Sequence, residues 1–583
     1  MFHTPTVADA IIAAAHRAGA RRVYGIIGDS INPVVDAVAR HDGVAWVHVR
    51  NEEAGAFAAG AEAQLTGTLA VCAGSCGPGG VHLLNGVYDA HRSGAPVLVV
   101  VGHIPSEHIG TGFFQETHPT ALFAECSHYC ELVTSPAQAT RAVETAIQHA
   151  LTLGGAAVLV LPGDVAALPA AGEVGAAAVG RPRLRPAAAD VDALADLLNG
   201  AEKVALFAGI GCADAREDVL ALADVLKAPV GYSLRGKPFL EYDNPFEVGM
   251  NGLLGWGAAY AAAHACDAYV LLGTDFPYPA FLPTRCQIAQ IDVRAERLGR
   301  RCKLALGVTG DVGETIRALL PKLRLRADTS FLDAMLDRHA VEKGKLREYV
   351  DHVGDRAPLH PEFVAAALSD AAAADAVFTV DTGMTVVWAC RYVRTTAGRQ
   401  LIGSFNHGSM ANALPQAIGA QLAYPGRQVV AMCGDGGFAM LMGEILTVRQ
   451  LKLPIKVVVF NNGTLGMVRL EQAAAGYVHH GDGLDNPDFA RLAEAVGLTG
   501  IRIEQPGDLR PGLERALATP GPVVVDVVTD PNTLSLPPTV TAEQVAGYAL
   551  SAAKLVLSGR ADEVAKTLTG NWRTLTGTTG ETL

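Results

Sequence analysis

Val429-Val430-Ala431-Met432-Cys433-Gly434-Asp435-Gly436-Gly437 and, downstream, Ile455-Lys456-Val457-Val458-Val459-Phe460-Asn461-Asn462 are two apolar, strand-length runs that each end in polar residues. A stretch of helical length separates them. Two parallel strands joined by one helix bring their carboxyl ends to the same sheet edge, so Asp435 and Asn462 can face one point. A carboxylate and an amide oxygen there suit a hard cation, and Mg²⁺ is usually held by one or two protein oxygens plus the phosphates of a ligand. The glycines let backbone N–H groups approach such phosphates at a helix N-terminus. A turn at Gly-Asp-Gly and a helix cap at Asn-Asn would explain each motif separately. They do not explain why both stand at strand ends.

Working outward, Val/Ile/Leu-rich runs ending in Gly, Asp or Asn alternate with Ala-rich helical stretches, the pattern of parallel sheets buried on both faces. Strands are expected at 22–26, 46–49, 68–72, 97–101 and 158–161, then at 204–207, 229–232, 269–272 and 288–291. A third set is expected at 377–380, 429–433, 455–460 and 523–527. The fold class is therefore α/β, with three doubly wound parallel-sheet domains and a C-terminal helical tail. Residues 168–186 read as a linker, and 323–361 as a polar helix followed by the Pro358/Pro361 turn. The expected divisions are 1–167, 187–325, 358–530 and a tail over 531–583, and 583 residues at ~100 to 200 per domain agree with that count.

Composition narrows the function. Apolar residues make up 50% of the chain and charged residues 18%, ample for several cores. A net charge of −13 without any basic block leaves no footprint for nucleic acid. No apolar run approaches the ~20 residues of a spanning helix. Residues 11–15 are too short for a secretory core, so a cytoplasmic protein is expected. The ten cysteines are scattered, and Cys126-Ser127-His128-Tyr129-Cys130 lacks a second ligand pair at zinc spacing. It and Cys72/Cys76 are read as structural.

Gly434-Asp435-Gly436 with Asn461-Asn462 resembles the thiamine diphosphate-binding motif, and the resemblance extends over nearly the whole chain. It is nearest to the pyruvate oxidase family, in its bacterial pyruvate:quinone oxidoreductase (quinone-dependent pyruvate dehydrogenase) branch. The stretches 70–79, 114–119 (Phe-Gln-Glu-Thr-His-Pro), 403–412 (Gly-Ser-Phe-Asn-His-Gly-Ser-Met-Ala-Asn) and 433–442 carry it. The resemblance implies a pyrimidine-binding, an FAD-binding and a diphosphate-binding domain in that order. It implies Mg²⁺ held by Asp435, Asn462 and the carbonyl of Thr464. Gly408, Ser409, Met410, Gly436, Gly437, Gly463, Leu465, Gly466 and Met467 would contact the cofactor, with Met410 as the apolar wedge beneath it. Glu52, at the start of a helix expected over 54–64, would bond the aminopyrimidine N1′. Two acids at a helix N-terminus, Glu52 and Glu53, also have a purely structural use, worth ~0.3 to 1 kcal/mol with the helix dipole.

By the same resemblance Phe114, Gln115 and Glu471 surround pyruvate, and Met467 stands near the electron path where an aromatic is usual. Asn51 replaces a common His, and Thr382 a small apolar residue. Gly209-Ile210-Gly211 and an acid after a strand are weak signals alone. Together with the resemblance they imply FAD at Asn251, Gly252, Leu253, Leu254, Thr274, Asp275, Phe276, Pro277, Tyr278 and Asp292. The implied reaction is oxidative decarboxylation of pyruvate to acetate and CO₂, with electrons passing through FAD to a membrane quinone. A homotetramer is implied, each site lying between two subunits. Carboligation with a structural FAD, as in acetolactate synthases, is the near rival. A non-catalytic membrane-associated assembly protein is the distant one, and the complete set Glu52, Asp435 and Asn462 argues against it.

The tail periodicity places Val545, Tyr548, Ala549, Ala552, Leu555 and Val556 on one stripe of a helix over 542–557. Such a stripe suits docking on the protein's own body. The resemblance instead implies peripheral contact of the tail with a lipid bilayer on the inner face of the cell membrane.

Overall fold

A computed structural model describes residues 4–172, 182–533, 542–558, 560 and 562–567. Three sheets follow one another along the chain. The first joins β1 (Arg22–Gly25), β2 (Ala45–His48), β3 (Ala70–Gly74), β4 (Val97–His103), β5 (Cys130–Leu132) and β6 (Ala156–Pro162) in the order β2-β1-β3-β4-β6-β5, all parallel. The second contains β7 (Val204–Ala208), β8 (Val230–Tyr232), β9 (Glu247–Met250), β10 (Trp256–Gly257), β11 (Ala268–Leu272), β12 (Gln287–Asp292) and β13 (Leu306–Thr309). Its order is β10-β9-β8-β7-β11-β12-β13. The third contains β14 (Val377–Val380), β15 (Gln400–Gly403), β16 (Val429–Gly434), β17 (Lys456–Asn461), β18 (Thr499–Ile503) and β19 (Val523–Val528), ordered β15-β14-β16-β17-β19-β18.

The first and third sheets share one topology. In each, the strand order reverses beside the first strand, between β1 and β3 and between β14 and β16. In the middle sheet it reverses between β7 and β11. Ligands of open α/β sheets bind outside the carboxyl ends of strands at such switch points, so the topology nominates three loci. They are the turns after β1–β3, the Gly209/Gly273 crossing, and the Asp381/Asp435 edge.

Sequence periodicity found the central strands because they are apolar on both faces: β4, β6, β7 and β11 are buried throughout. It passed over β5, β9, β10, β13, β15 and β18, mostly short and near or at the sheet edges. The expectation of purely parallel sheets also needs correction, since β10 pairs antiparallel to β9. The polar helix expected in the second connection is Ser330–Val353. Nine residues of the expected first linker, 173–181, lie outside the described residues.

Helix Glu52–Thr66 joins the outer domains. It is buried nearly all round, and its small residues (Ala54, Gly55, Ala56, Ala58, Ala59, Gly60, Ala61) let neighbours approach at backbone distance. Helix Ala413–Ala423 lies against it so closely that a Cβ on Gly419 would stand 2.0 Å from the Ala58 carbonyl oxygen. Polar ties flank this seam. Arg22 pairs with Glu62 at 2.7 Å, and Glu62 also accepts from the Tyr24 hydroxyl. Asp89 accepts from Ser404 Oγ at 2.8 Å and Gln416 Nε2 at 3.2 Å, while burial pushes its carboxyl up to about 6.

The tail helix is Ala542–Leu557 as expected, and its docked face overlaps the expected stripe only in part: Tyr548, Ala552 and Leu555 are half-buried. It lies on helix Gly466–Ala474 and the turn that follows. A Cβ on Gly547 would stand 1.9 Å from the Ala474 carbonyl, Ser551 Oγ donates to Tyr477 O at 2.8 Å, and Lys554 Nζ donates to Gly476 O at 2.8 Å. Ala549 and Val556, members of the expected stripe, are exposed, as are Leu550 and Leu557. The side chain of Val545 lies outside the described set. Small size won over hydrophobicity, because the partner surface is backbone. No described helix is long and apolar enough to cross a membrane.

Gly419→Ala should destabilise the chain by ~1–3 kcal/mol, the range for overpacking a filled interface. Gly426→Ala, whose Cβ meets nothing within 4 Å, should change stability by less than ~0.5 kcal/mol. Denaturant unfolding of both variants checks this, and equal midpoints would contradict the packing account.

Candidate active site

The strongest cluster sits at the carboxyl edge of β14, β16 and β17. Asp435 opens helix Asp435–Leu441 directly after β16, and its side chain is 3% exposed. Its Oδ1 accepts from Gly436 N at 2.8 Å, while Oδ2 accepts from Gly463 N at 2.7 Å and Asn486 Nδ2 at 2.8 Å. Burial raises its carboxyl above the usual range against these donors. The Gly463 bond ties the turn after β17 to the start of this helix. Asn462 Oδ1 accepts from Thr464 N at 3.0 Å, so Asp435, Asn462 and Thr464 form one connected loop pair. Gly436 lies beneath Met410 and Leu465: an added Cβ would meet Leu465 Cδ2 at 2.8 Å and Met410 Cε at 3.2 Å. Met410 thus stands beside the diphosphate motif, where the resemblance expected a wedge.

Among the described residues no group of three or more His, Cys, Asp or Glu could hold an ion. One carboxylate with an amide oxygen and a carbonyl is a sparse set of hard oxygen donors. That suits Mg²⁺, which takes its remaining ligands from phosphate and water, and does not suit zinc.

Three supporting acids escaped the sequence reading. Asp381, immediately after β14, is buried, and burial pushes its carboxyl up to about 7. A Cβ on Gly437 would stand 1.8 Å from Asp381 Oδ2, so the second glycine of the motif makes room for this acid. Asp482 accepts from Thr464 Oγ1 at 2.9 Å and lies 2.9 Å from His479 Nδ1. Burial opposes its ionisation, but the hydrogen bonds of His479 and Thr464 and the charge of Arg469 prevail and hold it below the usual carboxylate range. Glu444, 1% exposed, accepts from Arg50 N at 2.9 Å and Asn51 N at 3.0 Å. It therefore fixes, from the third domain, the turn that delivers Glu52. The available signal for Asp381 was an acid at a strand end, the same signal that found Asp435. Nothing local marked Glu444.

Glu52 is the first residue of helix Glu52–Thr66 and is 6% exposed. Its Oε2 lies 3.0 Å from His82 Nδ1, and a Cβ on Gly79 would stand 3.0 Å from its Oε1. Asn51 is the helix cap, its side chain accepting from Glu53 N at 2.9 Å. Its departure from the family pattern thus has a local structural use. Asn85 links the domains again: Nδ2 donates to Glu53 Oε1 at 2.6 Å and to Ser409 Oγ at 2.8 Å, and Oδ1 lies 2.9 Å from His407 Nε2. The 407–410 loop, with Gly408 at φ +78°, is in this way held by the first domain.

Gln115 has a positive φ of 63° and accepts from Cys76 Sγ at 3.3 Å. Gly77 packs on its Cβ, so Gln115 lies along the turn that also touches Glu52 through Gly79. Phe114 is 78% exposed. Glu471 is exposed on helix Gly466–Ala474, and Met467 on the same helix is half-buried. Glu52 and Asp435 share no hydrogen-bonding partner among the described residues.

At the middle switch point Gly211 N donates to Gly273 O at 3.0 Å, and a Cβ on Gly273 (φ +57°) would stand 2.5 Å from Gly211 Cα. Asn251 is buried, donating to Phe281 O at 3.0 Å, and Gly252 (φ +113°) lies against the Phe276 ring. Thr274 and Asp292 are buried at the ends of β11 and β12. Asp292 Oδ1 accepts from Arg294 N at 2.9 Å, and burial raises its carboxyl. Leu253, Pro277 and Tyr278 are exposed and Leu254 is half-buried, giving this edge an apolar rim. Asp275 is engaged by Arg300 and Arg301. A backbone crossing of glycines next to a strand-end acid fits a dinucleotide.

Comparison with known proteins agrees with the division into three domains. Residues 5–122, 191–319 and 381–527 match the N-terminal thiamine pyrophosphate-binding, central, and C-terminal thiamine pyrophosphate-binding domain models of thiamine pyrophosphate enzymes. An uncharacterised 42.6 kDa protein of Pseudomonas amyloderamosa is 54% identical over 352 residues, 60% of this chain and 87% of its own length. Pyruvate oxidase of Lactiplantibacillus plantarum is 31% identical over 525 residues, 88% and 86% of the two chains. The large subunit of acetolactate synthase isozyme 2 from Escherichia coli K12 is 30% identical over 531 residues, 89% and 95% of the two chains. Three parallel-sheet domains in matching order, with the Asp435–Asn462 edge in the last of them, make this chain a member of the thiamine pyrophosphate enzyme family.

Proposed function

We propose that the protein catalyses oxidative decarboxylation of pyruvate to acetate and CO₂ and passes the electron pair through FAD to a membrane quinone. The observation that carries this reading is the 113–119 turn. Its Gln115, at positive φ and with its side-chain oxygen accepting from Cys76 Sγ, shares the Gly77–Gly79 turn with Glu52. A small 2-oxo acid and the proton-handling carboxylate are then brought to one place. Similarity to pyruvate oxidase supports the redox branch. Similarity to acetolactate synthase supports carboligation by the same residues, the second reading.

When bound, thiamine diphosphate would supply the electron sink for loss of CO₂ and FAD an acceptor for the electron pair. Asp435, Asn462 and the Thr464 carbonyl would hold Mg²⁺. Gly408, Ser409, Gly436, Gly437, Gly463 and Gly466 would border the diphosphate, with Met410, Leu465 and Met467 as the apolar contacts. Glu52 would exchange a proton with the pyrimidine side through its carboxylate. His82 positions that carboxylate through its 3.0 Å contact. Phe114 and Gln115 close on pyruvate, and Glu471 borders it from the third domain. FAD would lie over Asn251 to Leu254, Thr274 to Tyr278 and Asp292.

Phe114 is exposed in the single chain, and Glu52 and Asp435 have separate partner sets. Both facts support a site completed by a second copy, within a homotetramer built as a dimer of dimers. The exposed Leu550, Val556 and Leu557 on the tail helix support transient contact with a bilayer surface.

Glu52→Gln should leave thiamine diphosphate affinity near wild type and slow exchange at C2 of the bound cofactor by at least ~10², the usual yield of an acid–base group. Exchange at the wild-type rate contradicts the role. Product analysis with labelled pyruvate and a soluble dye acceptor tests the reaction: acetate and CO₂ should appear in step with dye reduction. Acetolactate with the dye untouched would move the protein to the carboligase reading.

A further inference from the structure

Glu116 directly follows the two side chains assigned to pyruvate, and its carboxylate turns back on its own loop. Oε1 accepts from Gly110 N, while Oε2 accepts from Gly112 N at 2.7 Å and Phe113 N at 3.1 Å. Gly110 and Gly112 have φ of +88° and +74°, and Gln115 has +63°, so the backbone is left-handed at three places between 110 and 116. Turns of this kind aim neighbouring N–H groups into one concavity that binds an anion. Here the chain supplies the anion itself. A Cβ on Gly110 or Gly112 would meet nothing within 4 Å, so it is the conformation, not crowding, that calls for glycine there. These hydrogen bonds, that from Gly110 foremost, hold the Glu116 carboxyl below the usual carboxylate range.

The remaining contacts of the loop serve the same geometry. Glu116 N donates to Phe113 O at 2.9 Å and closes the turn around Phe114 and Gln115. Phe113 stacks on His108 with ring centroids 4.4 Å apart, and Ser106 N donates to Asp164 Oδ1 at 3.0 Å at the base. Gln115 is drawn inward to Cys76, and Phe114 is left exposed at the tip. Ordering a backbone costs conformational entropy at every residue, and a substrate that had to order this loop would lose that free energy from its own binding. A loop ordered beforehand by an internal carboxylate removes the loss.

We propose that Glu116 is a positioning residue for the 2-oxo acid, its carboxylate preforming the 110–116 loop so that Phe114 and Gln115 meet the substrate already in place. The assignment rests on the reading of those two side chains as pyruvate contacts. With both oxygens engaged by N–H groups of the loop, Glu116 is not a further acid–base group. It acts through its neighbours.

The test compares Glu116→Ala and Glu116→Gln with the wild-type holoenzyme. Hydrogen exchange of peptides spanning 108–116, read by mass spectrometry, should accelerate in Glu116→Ala and less so in Glu116→Gln, which keeps one acceptor oxygen. In Glu116→Ala, kcat/KM for pyruvate should fall ~10- to 10²-fold, mainly through KM, the size expected for misplaced substrate contacts. Thiamine diphosphate affinity should stay at the wild-type value and report an intact fold. In a Gln115→Ala background the same substitution should cost less than it does alone, because the two residues act as a unit. Exchange at the wild-type rate, unchanged kcat/KM, or full additivity with Gln115→Ala would each overturn the proposal. Acetolactate formed with the dye untouched would overturn the oxidative reading alone, since carboligation also begins from pyruvate.

Discussion

The contact between Gly419 and the Ala58 carbonyl sets the relative position of the two sheets that share a topology. Helix Glu52–Thr66 and helix Ala413–Ala423 touch at backbone distance because alanines and glycines line the seam. Each missing side chain removes area that would otherwise bury, so the seam depends on close packing over its whole length. Glu52 stands at the first turn of one helix, and the 407–410 loop leads into the other. Moving the seam moves both. The ties at Asn85, Glu444 and Asp89 follow from the same registration, since each reaches across from one domain to a specific loop of the other.

The acids of the third domain show how one environment yields different tasks. Asp381, Asp435 and Glu444 are all buried, and burial raises all three carboxyls. What distinguishes them is where their donors come from. Asp435 gathers N–H groups from the turns that border the metal locus, and Glu444 gathers them from the turn before Glu52. Asp381 fills the space beneath Gly437. An uncompensated buried carboxylate is costly, and the divalent cation proposed to face Asp435 would offset that cost while satisfying the diphosphate. In this sense the metal locus and the glycines beside it are one feature.

Much of this was legible in the sequence, for physical reasons. Strands such as β4, β6, β16 and β17 are buried on both faces and so write continuous apolar runs, and Asp435 and Asn462 were found because those runs end in them. Glu52 was legible through the resemblance more than through its surroundings. The shorter outer strands were missed: β18, interrupted by the exposed Thr499 and Arg502, looks like loop, and β5 hides inside a cysteine-histidine cluster that resembles half a metal site. The tail helix was located correctly and its face only in part, with Tyr548, Ala552 and Leu555 half-buried and Ala549 and Val556 exposed, because periodicity ranks residues by hydrophobicity. The seat on Ala474 and Gly476 selects for the smallest side chain. Glu444 had no local mark at all, since its function exists only once two domains meet.

The family fixes the thiamine chemistry, and the redox branch rests on the flavin proposed for the middle switch point. The measurement that bears on it most directly is the visible spectrum of the flavin-loaded enzyme under anaerobic conditions, before and after pyruvate is added. The account predicts loss of the oxidised flavin absorbance within the enzyme's turnover time, and its return when a quinone is admitted. A flavin that stays oxidised while pyruvate is consumed would contradict it.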